Sequence, residues 1–175
     1  MLSIRPATLS DIPAIARIYG ESVTSGTATF ELAPPDEAEM AARMRHLMDG
    51  GYPYLAAELD GTFAGYAYAG AYRIRPAYRF TVENSVYVAP GILRRGVGRA
   101  LIAALIDECG RRGFRQMVAV IGDSPTQVAS IALHTAAGFR VTGTLDDVGF
   151  KHGRWLDTLL MQRALGDGAT RPPEF

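Results

Sequence analysis

The spacing of apolar positions lays out the elements of the chain. Leu2 to Arg5 read as a short strand, and Ser10-Asp11-Ile12-Pro13 then opens a helix. Ile12, Ile15, Ala16 and Tyr19 fall at helical spacing there, with Ser10 the expected N-cap. Residues 26–30 (Gly-Thr-Ala-Thr-Phe) form a small-residue loop with one aromatic, suited to a lid. A second helix is predicted over about residues 35–49, with Met40, Met44 and Leu47 on one face. Residues 54–59 and 63–69 flank Asp60-Gly61-Thr62, the turn chemistry of a β-hairpin.

Residues 80–88 set Phe80 and Val82 against Thr81 and Glu83 and end in Val86-Tyr87-Val88, predicting a central strand. After Pro90-Gly91 and Arg94-Arg95, Gly96-Val97-Gly98 lead into a helix with Leu101, Ile102, Leu105, Ile106 and Cys109 on one apolar face. Gly113 closes that helix. Residues 117–121 read as a buried strand, 130–137 as a short helix closed by Gly138, and 139–145 and about 155–162 as further strands. The alternation predicts an α/β (α+β) domain over residues 1–165, with 166–175 a flexible C-terminal tail.

Composition narrows the function classes. The 175 residues suffice for one self-standing core. Lys plus Arg and Asp plus Glu both total 18, so no net field draws the chain to nucleic acid or membrane. The single Cys109 excludes an internal disulfide, and no Cys/His spacing resembles a metal site, so a metal-free protein of the cytoplasm is expected. No stretch approaches the roughly 20 apolar residues of a membrane helix.

Two features carry chemistry. Gly96 and Gly98, two apart at a helix start and preceded by two arginines, let backbone N–H groups close round a pyrophosphate. A dinucleotide fingerprint would follow the first strand and carry a third glycine, where this chain has Leu101. Glu83, in a strand expected to be buried, is the second feature. Burial without a partner raises a carboxylate pKa toward neutrality, as a general base for an ammonium requires; the bland alternative is an ion pair with Arg75 or Arg79.

With the glycines following a fourth or fifth strand, residues 2 to about 165 resemble the GNAT superfamily of acetyl-CoA-dependent N-acetyltransferases. The match is closest to the phosphinothricin and methionine sulfoximine acetyltransferases. It runs through Ala67-Tyr68-Ala69-Gly70, Thr81-Val82-Glu83-Asn84-Ser85-Val86-Tyr87-Val88, Val120-Ile121-Gly122, Leu133-His134, Gly138-Phe139 and Lys151-His152-Gly153-Arg154-Trp155-Leu156-Asp157. The resemblance implies a mixed sheet of about six or seven strands flanked by helices, with central strands splayed to hold acetyl-CoA. Val86, Tyr87 and Val88 would meet the pantetheine arm, and Arg94, Arg95, Gly96, Val97, Gly98 and Arg99 the pyrophosphate. Gln127 and Ser130 match a further cofactor contact, although relatives often carry Asn where Gln127 stands. Leu93 replaces the Gln or Arg usual three residues before the first glycine.

The same resemblance supports Glu83 as general base in a ternary complex, and His134 as an acid, a base or a substrate ligand. Tyr87 competes for the acid role. Cys109, on the helix's apolar stripe, is assigned to the core rather than to an acetyl-enzyme. An amino-acid acceptor needs cations for its carboxylate and an apolar wall. Arg73, Arg75 and Lys151 are the candidate cations, and Phe30, Tyr78 and Trp155, which match family aromatics, the candidate wall. A homodimer is expected by resemblance. Two other readings are acetylation of a different small amine or a protein N-terminus, and a non-catalytic acetyl-CoA sensor.

Overall fold

The computed structural model describes residues 1–92 and 94–173, so Leu93 lies outside the described residues. The strands are β1 (Leu2–Pro6), β2 (Tyr54–Leu59), β3 (Thr62–Ala71), β4 (Thr81–Val88), β5 (Gln116–Gly122), β6 (Arg140–Lys151) and β7 (Arg154–Ala164). The helices are α1 (Ile12–Ser25), α2 (Glu37–Asp49), α3 (Val97–Arg111) and α4 (Val128–Ala136). One seven-stranded sheet runs β1-β2-β3-β4-β5-β7-β6, antiparallel at every junction but the parallel β4–β5 pair.

Period-2 alternation in the central strands builds the two faces. In β3, Tyr66 and Tyr68 pack with α1 and α2 against Ile15, Ile18, Val23, Met40 and Met44. Its Ala67 and Ala69 face the other layer, where the small side chains admit α3 through Leu101, Ile102, Leu105 and Cys109. Of the expected α3 stripe, four residues are fully buried and Ile106 packs partly buried beside them.

The sheet opens at its middle. β4 pairs with β5 only from Thr81 to Asn84, matched to Gln116 through Ala119. Beyond that, β4 stays on β3 out to Val88, while β5 stays on β7 out to Gly122. Each strand follows its antiparallel neighbour, so the parallel pair separates and Ser85–Val88 face a gap.

Two local expectations are corrected. Thr8, not Ser10, starts the first helical segment, as N-cap of a 3₁₀ turn at Leu9–Asp11 that runs into α1. Buried Asp11 decides this: its carboxylate accepts the Thr8 N–H at 2.8 Å and the Arg5 guanidinium at 2.7 and 2.8 Å. β6 runs on to Lys151 instead of stopping at Leu145, because pairing with β7 resumes at Gly149 after a bulge. The chain after β7 turns back on itself, with Asp167 within ion-pair reach of Arg115 and Arg171.

Candidate active site

The gap between β4 and β5 is the centre of the site. Along β4 the side chains alternate across the sheet. Glu83, Ser85 and Tyr87 reach a cavity of about 290 Å³ on the α1 side, lined also by Tyr19, Thr29, Phe30, Tyr68, Gly122 and Thr158. On the α4 side, Val86 lines a slit of about 70 Å³ with Ile121, Gln127, Ser130 and His134. Cavity and slit share Asn84, Ser85, Tyr87 and Val120, so the opening passes through the sheet.

Glu83 is half-buried, with neither a hydrogen bond nor an ion pair on its side chain among the described residues. Burial pushes its carboxyl above the ordinary carboxylate value, opposed by the charge of Arg73. It is therefore available to exchange protons with whatever occupies the cavity. The bland alternative, an ion pair with Arg75 or Arg79, is not what holds it.

His134 is 4 % exposed, its Nδ1 2.8 Å from the Ser130 carbonyl and its Nε2 3.0 Å from Asn84 Oδ1. Asn84 in turn donates from Nδ2 to the Val118 carbonyl at 3.1 Å. The Ser130 carbonyl only accepts, so Nδ1 carries a hydrogen. The Val118 carbonyl likewise fixes the Asn84 amide with its oxygen toward the ring. A neutral imidazole then meets Asn84 Oδ1 with a lone pair, while burial holds the His134 pKa below its usual value. The hydrogen-bond pattern calls for a second proton and burial opposes it. His134 and Asn84 stand against each other where the strands part, His134 anchored to Ser130 and Asn84 to Val118.

Tyr87 stacks on Tyr66 at 5.1 Å and meets Tyr19 edge-on at 5.3 Å, and burial pushes its phenol well up, so it stays protonated. Tyr19 donates to Glu31 at 3.0 Å, and Glu31 also receives Arg43 at 2.6 Å. Tyr19, Tyr68, Asn84 and Thr158 were not singled out from the sequence. Tyr19 looked like one more apolar-face residue of α1, and Tyr68 and Asn84 served only as motif letters.

The cofactor-side candidates fall at one end of the gap. The edge of Ser85–Val88 toward β5 has no strand partner among the described residues. Gly96, at φ +82°, is the N-cap of α3, leaving the N–H groups of Val97, Gly98 and Arg99 without partners within the helix. Gly98 sits between Val88 and Leu133. Arg94, Arg95 and Arg99 are exposed around this turn. Gln127 and Ser130 stand across the slit from Val86.

The substrate-side candidates do not all converge. Phe30 and Glu83 line the cavity. Arg73 lies over the Tyr72 ring at 4.4 Å, with its charge felt at Glu83. Lys151, expected as a free cation, is buried beneath the loop, and its Nζ donates to the Thr29 carbonyl at 2.9 Å. Burial lowers its pKa, with Glu31 opposing. Arg75 is exposed on the far side of the β3–β4 connection, Tyr78 packs on Tyr72, and Trp155 packs on Phe150 with 61 % of its surface exposed. None of these last three lines the cavity, because the strand pleat and the connection carry them outward.

The site is thus a sheet parted at its parallel pair, with a glycine-started helix at one end of the gap and an unpaired carboxylate at the other. The chain belongs to the GNAT acetyltransferases: the family model for the acetyltransferase (GNAT) domain matches residues 4–160. It is 52 % identical over 172 residues to a phosphinothricin N-acetyltransferase of Alcaligenes faecalis, covering 98 % of this chain and 87 % of that protein. It is 41 % identical over 170 residues to an L-methionine sulfoximine/L-methionine sulfone acetyltransferase of Salmonella typhimurium, covering 96 % and 97 %. Among solved structures, a GNAT superfamily phosphinothricin acetyltransferase of Sinorhizobium meliloti in complex with AcCoA superposes with a TM-score of 0.95. That protein shares 49 % identity, and the match covers 99 % of this chain and 93 % of it. Among the described residues no cluster of His, Cys, Asp and Glu is arranged to hold a metal, and no helix is long and apolar enough to cross a membrane.

Proposed function

We propose that the enzyme acetylates the amine of a small amino-acid-like acceptor, of the methionine sulfoximine or phosphinothricin type, by direct attack within a ternary complex. Acetyl-CoA is the co-substrate. Its pantetheine arm lies along Ser85–Val88, and its pyrophosphate meets the turn at residues 94–99. The observation that carries this reading is Glu83, an unpaired, half-buried carboxylate facing the cavity at the point where the sheet opens.

An α-ammonium entering the cavity loses a proton to Glu83 through water. The freed nitrogen bonds to the thioester carbonyl carbon, and a backbone N–H near Tyr87 and Val88 receives the oxyanion. Collapse breaks the C–S bond, the nitrogen gives up its second proton to become the amide N–H, and the departing thiolate takes a proton. Tyr87 is the candidate for that acid by its place on the cavity wall, whereas His134 lies on the slit side with its ring nitrogens turned to Ser130 and Asn84. Arg73 is the cation best placed for the acceptor's carboxylate. The cavity, at about 290 Å³, lies at the small end of ligand pockets, which favours one amino acid over a protein tail.

Two further properties go with the reading. Use of acetyl-CoA and a lone buried Cys109 support a cytoplasmic enzyme. Exposed apolar side chains along β6 and β7 support a homodimer.

The test is CoA release from acetyl-CoA with methionine sulfoximine, phosphinothricin, other amino acids, polyamines and short peptides. Glu83→Gln is expected to lose about 10²- to 10⁴-fold in kcat with little change in the KM of acetyl-CoA. Wild-type activity should rise with pH through the raised Glu83 pKa, and Glu83→Gln should flatten that limb. Turnover confined to peptides would move the acceptor to a protein N-terminus, and acetyl-CoA binding without turnover on any amine would make the chain a sensor.

A further inference from the structure

Gly122 on β5 and Gly149 on β6 stand on either side of one aromatic ring. A Cβ built on Gly122 falls 2.5 Å from Phe30 Cε1. One built on Gly149 falls 2.5 Å from Phe30 Cδ2 and closer still to Cε2. Carbon atoms in ordinary contact sit about 3.5–4.0 Å apart, so a methyl group at either position displaces the ring by about 1 Å or more. Neither glycine has a left-handed backbone, in contrast to Gly138 at φ +84° or Gly153 at φ +75°. Their lack of a side chain answers a need for space, not for conformation.

We infer that Phe30, seated in the slot between Gly122 and Gly149, gauges the depth of the acceptor cavity. The two glycines thereby set the length of acceptor side chain that reaches Glu83 productively. The inference rests on the amino-acid acceptor proposed above and adds the determinant of its size.

The ring, and not the loop, is the part free to yield. Thr27 Oγ1 donates to Asp123 at 2.5 Å, and Lys151 Nζ donates to the Thr29 carbonyl at 2.9 Å. Tyr19 Oη lies 3.1 Å from Thr29 Oγ1, and His152 Nε2 lies 3.3 Å from the Gly26 carbonyl. With the loop tied ahead of Phe30 at Gly26, Thr27 and Thr29, and Glu31 beyond it held by Tyr19 and Arg43, a ring pushed off its slot swings into the cavity it lines. Gly149 is the cleaner probe. The three atoms nearest its Cβ all belong to the ring, whereas a Cβ at Gly122 also comes 3.0 Å from the Thr27 carbonyl.

The experiment measures kcat/KM for methionine sulfoximine and for straight-chain 2-amino acids of increasing length, in four proteins. These are wild type, Gly149→Ala, Phe30→Leu, and Gly149→Ala combined with Phe30→Leu. Gly149→Ala is expected to cut kcat/KM for methionine sulfoximine at least tenfold relative to the shortest acceptor turned over, with the KM of acetyl-CoA within twofold of wild type. Phe30→Leu alone is expected to extend activity to longer side chains, and the double variant to return the length profile to within threefold of wild type. An unchanged profile in Gly149→Ala overturns the gauge. So does a uniform loss that Phe30→Leu does not repair, which would make Gly149 a requirement of the fold. A wild-type enzyme that acetylates peptides or polyamines but no amino acid overturns the acceptor reading, and the gauge with it.

Discussion

Tyr66 shows how a single atom becomes a stability question. Its ring is fully buried and stacks with Tyr54, Tyr68 and Tyr87 at 5.9, 6.3 and 5.1 Å, so its shape is well used. Its hydroxyl, however, has no hydrogen-bond partner among the described residues. An unsatisfied buried polar group costs about 1–3 kcal/mol, while the phenyl ring alone keeps the stacking. Tyr66→Phe is therefore expected to stabilise the protein by about 1 kcal/mol, a rise in Tm of about 2–4 °C for a chain of this size. Differential scanning calorimetry with denaturant titration checks this, and a loss of stability would show that the hydroxyl is satisfied. The neighbouring Tyr19 hydroxyl differs: it donates to Glu31 at 3.0 Å.

At the scale of elements, the loop at residues 26–31 is held by the β5–α4 connection and the β6–β7 turn. Asp123 is the hub. It accepts Thr27 at 2.5 Å, Thr126 at 2.8 Å and Arg154 at 2.5 and 3.0 Å, and it sits at φ +54°, a left-handed conformation uncommon for a residue other than glycine. Arg154, then Thr27 and Thr126, keep its carboxyl well below the usual carboxylate range. A depressed folded pKa means the contribution is complete above the unfolded value of about 3.9 and is lost as pH falls through the folded one. The clasp is thus intact at neutral pH and weakens only in acid. Asp123→Ala at pH 7 is expected to free the loop. Limited proteolysis should cut near residues 26–31, and the acceptor's KM should rise about tenfold or more while acetyl-CoA binding holds, in keeping with the sensitivity of bound geometry to small displacements.

What could be read in advance at this scale followed from periodicity and local chemistry. The β2–β3 hairpin, the α3 stripe and the glycine-started turn are properties of short windows, and they stand where the spacing put them. The direction of Lys151 is different, because it depends on a loop 122 residues away whose Thr29 carbonyl needs a donor. The same holds for Asn84, whose role exists only once α4 carries His134 beside it. Ser10 is a sound N-cap by residue type, but buried Asp11, in an ion pair with the partly exposed Arg5, accepts the Thr8 N–H and draws the start back to Thr8. The strand predicted over residues 139–145 runs on because a bulge accommodates Asp146 and Asp147, the latter at φ +52°, and β7 supplies the pairing beyond it.

At the scale of the whole molecule, β6 is the sheet's outer edge and ten of its residues are exposed. Val141, Leu145, Val148 and Phe150 stand 49–57 % exposed along it, and Trp155 joins Phe150 from β7 with ring centroids 5.2 Å apart. Apolar side chains exposed along an edge strand invite another surface, even where Arg140, Asp146, Asp147 and a bulge interrupt the row. We propose that a second copy of this chain covers this face, with Phe150 and Trp155 as its aromatic anchors. Light scattering is expected to find two chains per particle for the wild type and one for Phe150→Glu combined with Trp155→Glu. Circular dichroism should be unchanged, since neither side chain belongs to the core. A monomeric wild type would rule this interface out, and a variant that stays dimeric would place it on another face. Because the β6–β7 turn also carries Lys151 and Arg154, loss of the dimer is further expected to raise the acceptor's KM more than that of acetyl-CoA.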